Sequence, residues 1–264
     1  MRNNGLRRLQ LETSWGPLTV VGGSRAGDGT LILLPQLHLA LDAGRPHRAL
    51  PPMTTVLVSH GHLDHLGGIA YWASQRQLQT MGPARLAVPL QIRQDVESLL
   101  ATHARLEGGS PYEVEVAGVS PAESITLRRD MRIEFFATDH WVPTLGSRLV
   151  WRRSRLLPEL AHLTGQEIAQ RRQSGDDVTE TVETDLLAYC ADSGPGVLVP
   201  DTPVGRSEIV LLECSFFRRR DRDRAARFGH LHLDDILPRV DRLRCRHLVL
   251  LHASRRHRLR EVEA

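Results

Sequence analysis

Apolar residues in this chain gather in short blocks, not in long stripes. Residues 18–21, 31–34 and 37–41 are mostly apolar and separated by Gly-rich turns, a spacing that predicts three early strands. Residues 55–59 are a continuous apolar run ending in polar side chains, as expected of a buried strand. Apolar positions recur at helical spacing over 66–79 and again over 90–105. Further strands are expected at 87–89, 112–116, 124–127, 132–138, 147–152, 185–191, 208–213 and 247–251. Residues 153–183 break this rhythm. They are charged, hold one helical stretch at 165–174, and read as an inserted arm or lid between two strands. No repeat or Ser/Gly linker divides the chain, so one domain over residues 1–264 is expected, with two sheets sandwiched between helices.

Composition narrows the classes. A chain of 264 residues with 41% apolar and 25% charged residues is long enough to bury a core without staples and is not a disordered polymer. Three cysteines, at 190, 214 and 245, are too scattered for a disulfide framework or a cysteine zinc site. The N-terminal stretch is polar and no run approaches a membrane span, so a reducing cytoplasm and no membrane partner are expected. The net charge of +3 mildly favours an anionic partner. All 34 basic residues are Arg, which points to coding bias more than to phosphate binding.

Histidine placement changes the picture. Ser59-His60-Gly61-His62-Leu63-Asp64-His65 follows directly on the buried run 55–59. Four potential ligands in six residues cannot share one face of a strand or helix, but a loop can turn them toward two neighbouring points. Neutral imidazole and carboxylate suit Zn2+ or the harder Mn2+. Gly61 lets the loop turn tightly, and Gly67-Gly68 lets the following helix pack close.

That HxHxDH pattern resembles the metallo-β-lactamase fold superfamily. Four further segments fit its motifs in order: Leu41-Asp42-Ala43-Gly44, His140 after the 132–138 strand, Ala191-Asp192-Ser193, and His252 closing the 247–251 strand. The resemblance implies an αββα four-layer sandwich of the metallo-β-lactamase type. It implies one divalent ion held by His60, His62 and His140, a second held by Asp64, His65 and His252, and Asp192 bridging them. The ions are expected to be Zn2+, with Mn2+ or Fe2+ as alternatives. Asp42 is placed behind the ligands, orienting one of them.

Three more segments are similar to the tRNase Z (ribonuclease Z) branch. They are Asp139-His140-Trp141-Val142-Pro143-Thr144-Leu145-Gly146-Ser147-Arg148, Leu212-Glu213-Cys214-Ser215-Phe216, and Phe228-Gly229-His230-Leu231-His232. The ending His252-Ala253-Ser254-Arg255-Arg256 fits as well. The resemblance implies that Glu213 is coupled to His230 and that His230 protonates the leaving oxygen. Asp64, Glu213 and His230 are therefore the catalytic candidates, with His232 a competitor for the proton-donor role. The implied activity is that of an endoribonuclease acting on the 3′ end of pre-tRNA, with RNA as partner and a homodimer as one arrangement.

Two features depart from the branch. The segment between His140 and Asp192 carries no long Gly- and Pro-rich arm, and Leu231-His232 replace small hydroxyl residues. The rival expectation is therefore another hydrolase on the same scaffold, such as a cyclic-nucleotide phosphodiesterase or small-ester hydrolase, with a closed pocket under residues 153–183. The Arg218–Arg227 stretch could meet phosphates, although Asp221 and Asp223 interrupt its charge and a solvated helix face is equally expected.

Overall fold

Each apolar block becomes a strand, and the strands collect into two facing sheets in the computed structural model, which describes residues 5–258. The outermost residues of the 1–264 domain expectation lie outside that range. The first sheet holds, in spatial order, β1 (Arg7–Thr13), β2 (Gly16–Ala26), β3 (Gly29–Leu34), β4 (Leu39–Ala43), β5 (Thr55–Leu57), β6 (Ala84–Pro89) and β7 (Val114–Val119). The second runs from β8 (Ser124–Arg128) through β9 (Met131–Ala137), β10 (Leu145–Leu156), β11 (Thr179–Cys190) and β12 (Ile209–Glu213) to β13 (His247–Leu251). A short β14 (Ala253–Ser254) pairs with β2.

Alternation along the strands builds the layers. Ile32, Leu34, Leu39 and Leu41 point between the sheets and meet Ile133, Leu149, Leu187 and Leu211. Their neighbours Leu31, Leu33, Ala40 and Val56 point outward and pack with Trp72, Val96 and Leu100. Those three sit on α2 (Ile69–Leu78) and α3 (Arg93–Leu106); a one-turn α1 (Leu63–Leu66) precedes them. On the far side, Val210 and Leu212 pack with Val204 and Ile236. The helices there are α5 (Pro203–Arg206), α6 (Arg222–Phe228) and α7 (Leu233–Ile236), α4 (Gly165–Gln173) lying earlier in the chain. The result is the four-layer αββα sandwich that the resemblance implies. Each fully buried Leu is worth about 1.5–3 kcal/mol over an exposed one, so this double-sided alternation fixes the register of both sheets.

Residues 153–183 continue the β10–β11 pair. The two strands pair from Ser147↔Tyr189 out to Leu156↔Thr179, with one bulge between Leu149 and Val150, past the apolar limits visible in sequence. Cross-strand charge pairs such as Arg155–Glu180 hold the exposed stretch, and α4 fills the turn behind a Thr164/Glu167 capping box. Among the described residues no helix is long and apolar enough to cross a membrane.

The parallel strands decide where chemistry can sit. β4–β7 are parallel, as are β11–β13, and their carboxyl ends open at one edge of the sandwich. Asp42, Ser59, Asp192, Glu213 and His252 all fall at or just beyond these ends. Gly44 lets the loops close there: a Cβ on it would run into the backbone of Asp64. Gly44→Ala is therefore expected to destabilise the fold by about 1–3 kcal/mol, read as a lowered denaturant midpoint, because the neighbour is backbone and cannot rotate away.

Candidate metal centre and active site

The loop after β5 carries His60 and His62 out of the sheet, and α1 then brings Asp64 and His65 back beneath it. His60 Nε2 and His62 Nδ1 approach to 2.9 Å. With His140 and Asp192 they form a group whose donor atoms all lie within 4.8 Å of one another. Asp64, His65 and His252 form a second such group, and Asp192, His230 and His252 a third. Asp192 faces both sides. Its Oδ2 lies 3.6 Å from His60 Nε2 and 3.8 Å from His140 Nε2, while its Oδ1 lies 3.5 Å from His65 Nε2 and 3.2 Å from His252 Nδ1.

His60, His65 and His140 are each aimed by a second ring nitrogen, the first by Ser59 Oγ at 3.0 Å from its Nδ1. His140 Nδ1 lies 3.2 Å from the Gly229 carbonyl, and His65 Nδ1 donates to Asp42 Oδ2 at 2.6 Å. Asp42 is fully buried and also accepts from Ser59 N, Ser59 Oγ and the Tyr189 hydroxyl. Asp42 and His252 both hold positive φ, at 58° and 61°, a conformation uncommon for residues other than glycine and tolerated best by Asp and Asn. Asp42→Asn keeps that backbone but removes the charge behind His65. It is expected to weaken metal affinity about 10–100-fold in a chelator competition, with secondary structure unchanged by circular dichroism.

Electrostatics suit cations. Burial and the neighbouring histidines push the His60 pKa well below its ordinary value, which leaves a neutral ring with a lone pair to give. Burial lowers His140 as well. Burial opposes a charge on His65, yet the Asp42 and Asp192 carboxylates outweigh it and hold its pKa at about 9. Burial also works against ionising Asp192, but the surrounding histidines keep it an anion. The site thus sets neutral rings at His60 and His140 beside the Asp192 carboxylate, while the carboxylates around His65 hold a proton there that a bound cation would displace. His140 Nε2 and Asp192 Oδ1 are buried without a hydrogen-bond partner, although such atoms ordinarily have one. Divalent ions fit this donor set.

A separate pair lies at the mouth. Glu213, 1% exposed, ends β12 and its Oε1 lies 3.1 Å from His230 Nδ1. The same oxygen accepts from Leu231 N, and Oε2 accepts from Ser215 Oγ. Burial would lower the His230 pKa, but the hydrogen bond and charge of Glu213 reverse this and raise it. The His230 ring centroid lies 5.4 Å from those of both His140 and His252. His232 is placed differently. It is fully buried at the start of α7, with Nδ1 accepting from Asp234 N and Nε2 at 3.0 Å from the Arg218 carbonyl. Both ring nitrogens are committed to backbone, so His232 caps a helix.

Sequence alone does not single out Ser59, Tyr189 and Ser215. Ser59 adjoins the histidine motif, and that position is the one signal pointing to it. Tyr189 and Ser215 reach their partners only through the pairing of distant strands. A cavity of about 410 Å³ adjoins His140 and His230, and nothing from residues 153–183 lines it.

Known proteins bear on this arrangement. The beta-lactamase superfamily domain matches residues 7–253. The tRNase Z TRZ1 of Arabidopsis thaliana is 29% identical over 248 residues, covering 92% of this chain and 88% of the relative. The nuclear ribonuclease Z of Triticum aestivum is 33% identical over 179 residues, covering 67% of this chain and 99% of the relative. The short form of human tRNase Z superposes with a TM-score of 0.59 at 14% identity, covering 95% of this chain and 93% of that one, which supports the fold.

Proposed function

We propose, from the premise that the chain belongs to the beta-lactamase superfamily domain family and to its ribonuclease Z branch, that it is a two-metal phosphodiesterase which cleaves the 3′ extension from pre-tRNA. His60, His62, His140 and Asp192 would hold one ion, and Asp64, His65, His252 and Asp192 the other, with zinc the metal of first choice before Mn2+ or Fe2+. Bound there, such ions lower the pKa of water and offset charge gathering on the phosphate. Asp42, Ser59 and Gly229 keep the imidazoles aimed while this happens.

The observation that supports the reading best is the Glu213–His230 pair beside both clusters. A ribose 3′-oxygen leaves poorly as an alkoxide and needs a proton. Glu213 fixes Nδ1, so Nε2 of His230 is the nitrogen available to give that proton. The Glu213 carboxylate stabilises the imidazolium that gives this proton and keeps its hydrogen bond to Nδ1 afterwards. A closed pocket beneath residues 153–183 would favour the small-ester rival, and the cavity beside His230 draws its walls from other loops. The deciding assay sets 3′-extended pre-tRNA beside cyclic nucleotides and bis-p-nitrophenyl phosphate, using zinc- or manganese-loaded protein. Cleavage of the pre-tRNA at its 3′ side is expected; turnover of cyclic nucleotides alone would favour the rival.

RNA binding should weaken steeply with salt, since bound phosphates release their counterions. Arg219 and Arg220 are exposed, whereas Arg222 is engaged by Asp234 and Asp235. Replacing Arg219 and Arg220 by Ala is expected to reduce the slope of log affinity against log salt by about 1 for each phosphate that is no longer neutralised. An unaltered slope would make that stretch a solvated face. The cytoplasm is the proposed compartment, which cell fractionation tests.

A further inference from the structure

Trp141 lies beside the ligand His140 with 70% of its surface exposed, an unusual cost for the largest apolar side chain. It is not loose. Gly229 turns back at φ 64°, and a Cβ there would stand 2.8 Å from both Cδ1 and Nε1 of the indole. The ring therefore rests on the Gly229 backbone, one residue from His230. The absent side chain is what allows the approach. Next in the chain, Phe228 is 45% exposed, with the guanidinium carbons of Arg224 and Arg227 at 5.8 and 5.7 Å from its ring. Trp141 and His230 both line the 410 Å³ cavity, together with Gly194 and Asp139. The Asp139 carboxylate lies over Gly194, where a Cβ would stand 2.7 Å from Oδ2.

We propose that this cavity is a nucleobase subsite, in which Trp141 stacks on the base of the nucleotide that carries the leaving 3′-oxygen and Asp139 accepts from that base's exocyclic amine. The placement rests on the phosphodiesterase reading above, because His230 marks where the leaving oxygen must lie. A base attached to the same ribose then reaches the adjoining wall, and Trp141 is the aromatic face there. Stacking suits any base, whereas a carboxylate favours bases bearing an amine donor over uracil. The exposed indole is thereby explained as a surface that substrate covers.

The test uses an RNA that ends, with a free 3′-hydroxyl, at the nucleotide in question, so that binding is read without cleavage. With 2-aminopurine as its last base, binding to the full chain is expected to quench the fluorescence, and Trp141→Ala to abolish the quench while Trp141→Tyr restores it. Trp141→Ala should weaken binding of this RNA roughly 5- to 150-fold, the usual worth of one stacked base. An RNA ending in an abasic nucleotide should bind the wild type as weakly and lose nothing further in Trp141→Ala. Equal weakening of the intact and abasic RNAs by Trp141→Ala would make the residue a support for its loop and overturn the proposal. Cleavage of pre-tRNA by wild type with no quench would also overturn it while leaving the function standing. Quenching without cleavage of any 3′-extended RNA would leave the subsite and remove the function. Asp139→Ala should erase a wild-type preference for adenine over uracil at the RNA end; an unchanged preference overturns the role given to Asp139.

Discussion

His62→Ala is expected to lose metal and activity together. His62 is exposed at the loop crest, so its removal costs little packing, yet its Nδ1 belongs to the group formed with His60, His140 and Asp192. Three partners are left to hold an ion that needs at least four positions filled, and a divalent ion contributes several kcal/mol to charge stabilisation during hydrolysis. Each 1.36 kcal/mol is a factor of ten, so a fall in kcat of about 10³-fold or more is expected. Elemental analysis should fall from two ions per chain toward one. The second group, Asp64, His65 and His252, does not include His62 and should keep its ion. Full metal content with full activity in His62→Ala would remove this residue from the centre.

The stability of the fold should move with the metal as well. Asp42, Asp192, His60, His65 and His252 are all nearly or fully buried and crowd one edge of the sandwich. Ligands that bind the folded state alone stabilise it by mass action. Chelation is therefore expected to lower the melting temperature of the wild type, and to lower that of His62→Ala by less.

The parts legible in sequence are those carried by apolar periodicity and local motif. Strands such as β3 and β12 are buried along their whole length, and a continuous apolar run says so directly. β1 is easily missed there because it is an edge strand with five of seven residues exposed, and its short Leu9/Leu11 alternation lies among charged and polar residues. β10 and β11 read short for a related reason. Their outer halves alternate charges that pair across strands, and such pairs have no signature within either strand alone. Residues 60–65 announce themselves by local spacing, but the tasks of Asp42 and Tyr189 depend on a contact spanning 147 residues. His230 and His232 illustrate the limit most plainly. Two residues apart and of one type, they are separated only by the turn into α7, which sends one ring toward His140 and His252 and the other into a cap.

His230→Ala separates proton delivery from metal binding. Its Nδ1 is taken by Glu213, and the clusters of His60, His62, His140 with Asp192 and of Asp64, His65 with His252 do not need its ring. The variant should therefore retain both ions by elemental analysis. Cleavage of RNA or an alkyl phosphodiester should slow by about 10²–10⁴-fold, the usual worth of a positioned general acid. A p-nitrophenyl ester should slow far less, because p-nitrophenolate departs without a proton. Glu213→Gln should give the same leaving-group pattern more weakly. The sign of its pH effect follows from the pair: Glu213 raises the His230 pKa, and an acid works only below its pKa, so activity falls as pH rises through that value. Removing the Glu213 charge should move this alkaline fall to lower pH. Loss of metal from His230→Ala would put His230 among the ligands, as its place in the group with Asp192 and His252 allows. Equal slowing of alkyl and p-nitrophenyl esters with both ions retained would instead deny it the proton-donor role, and with His232 sealed into its cap the donor would have to be solvent.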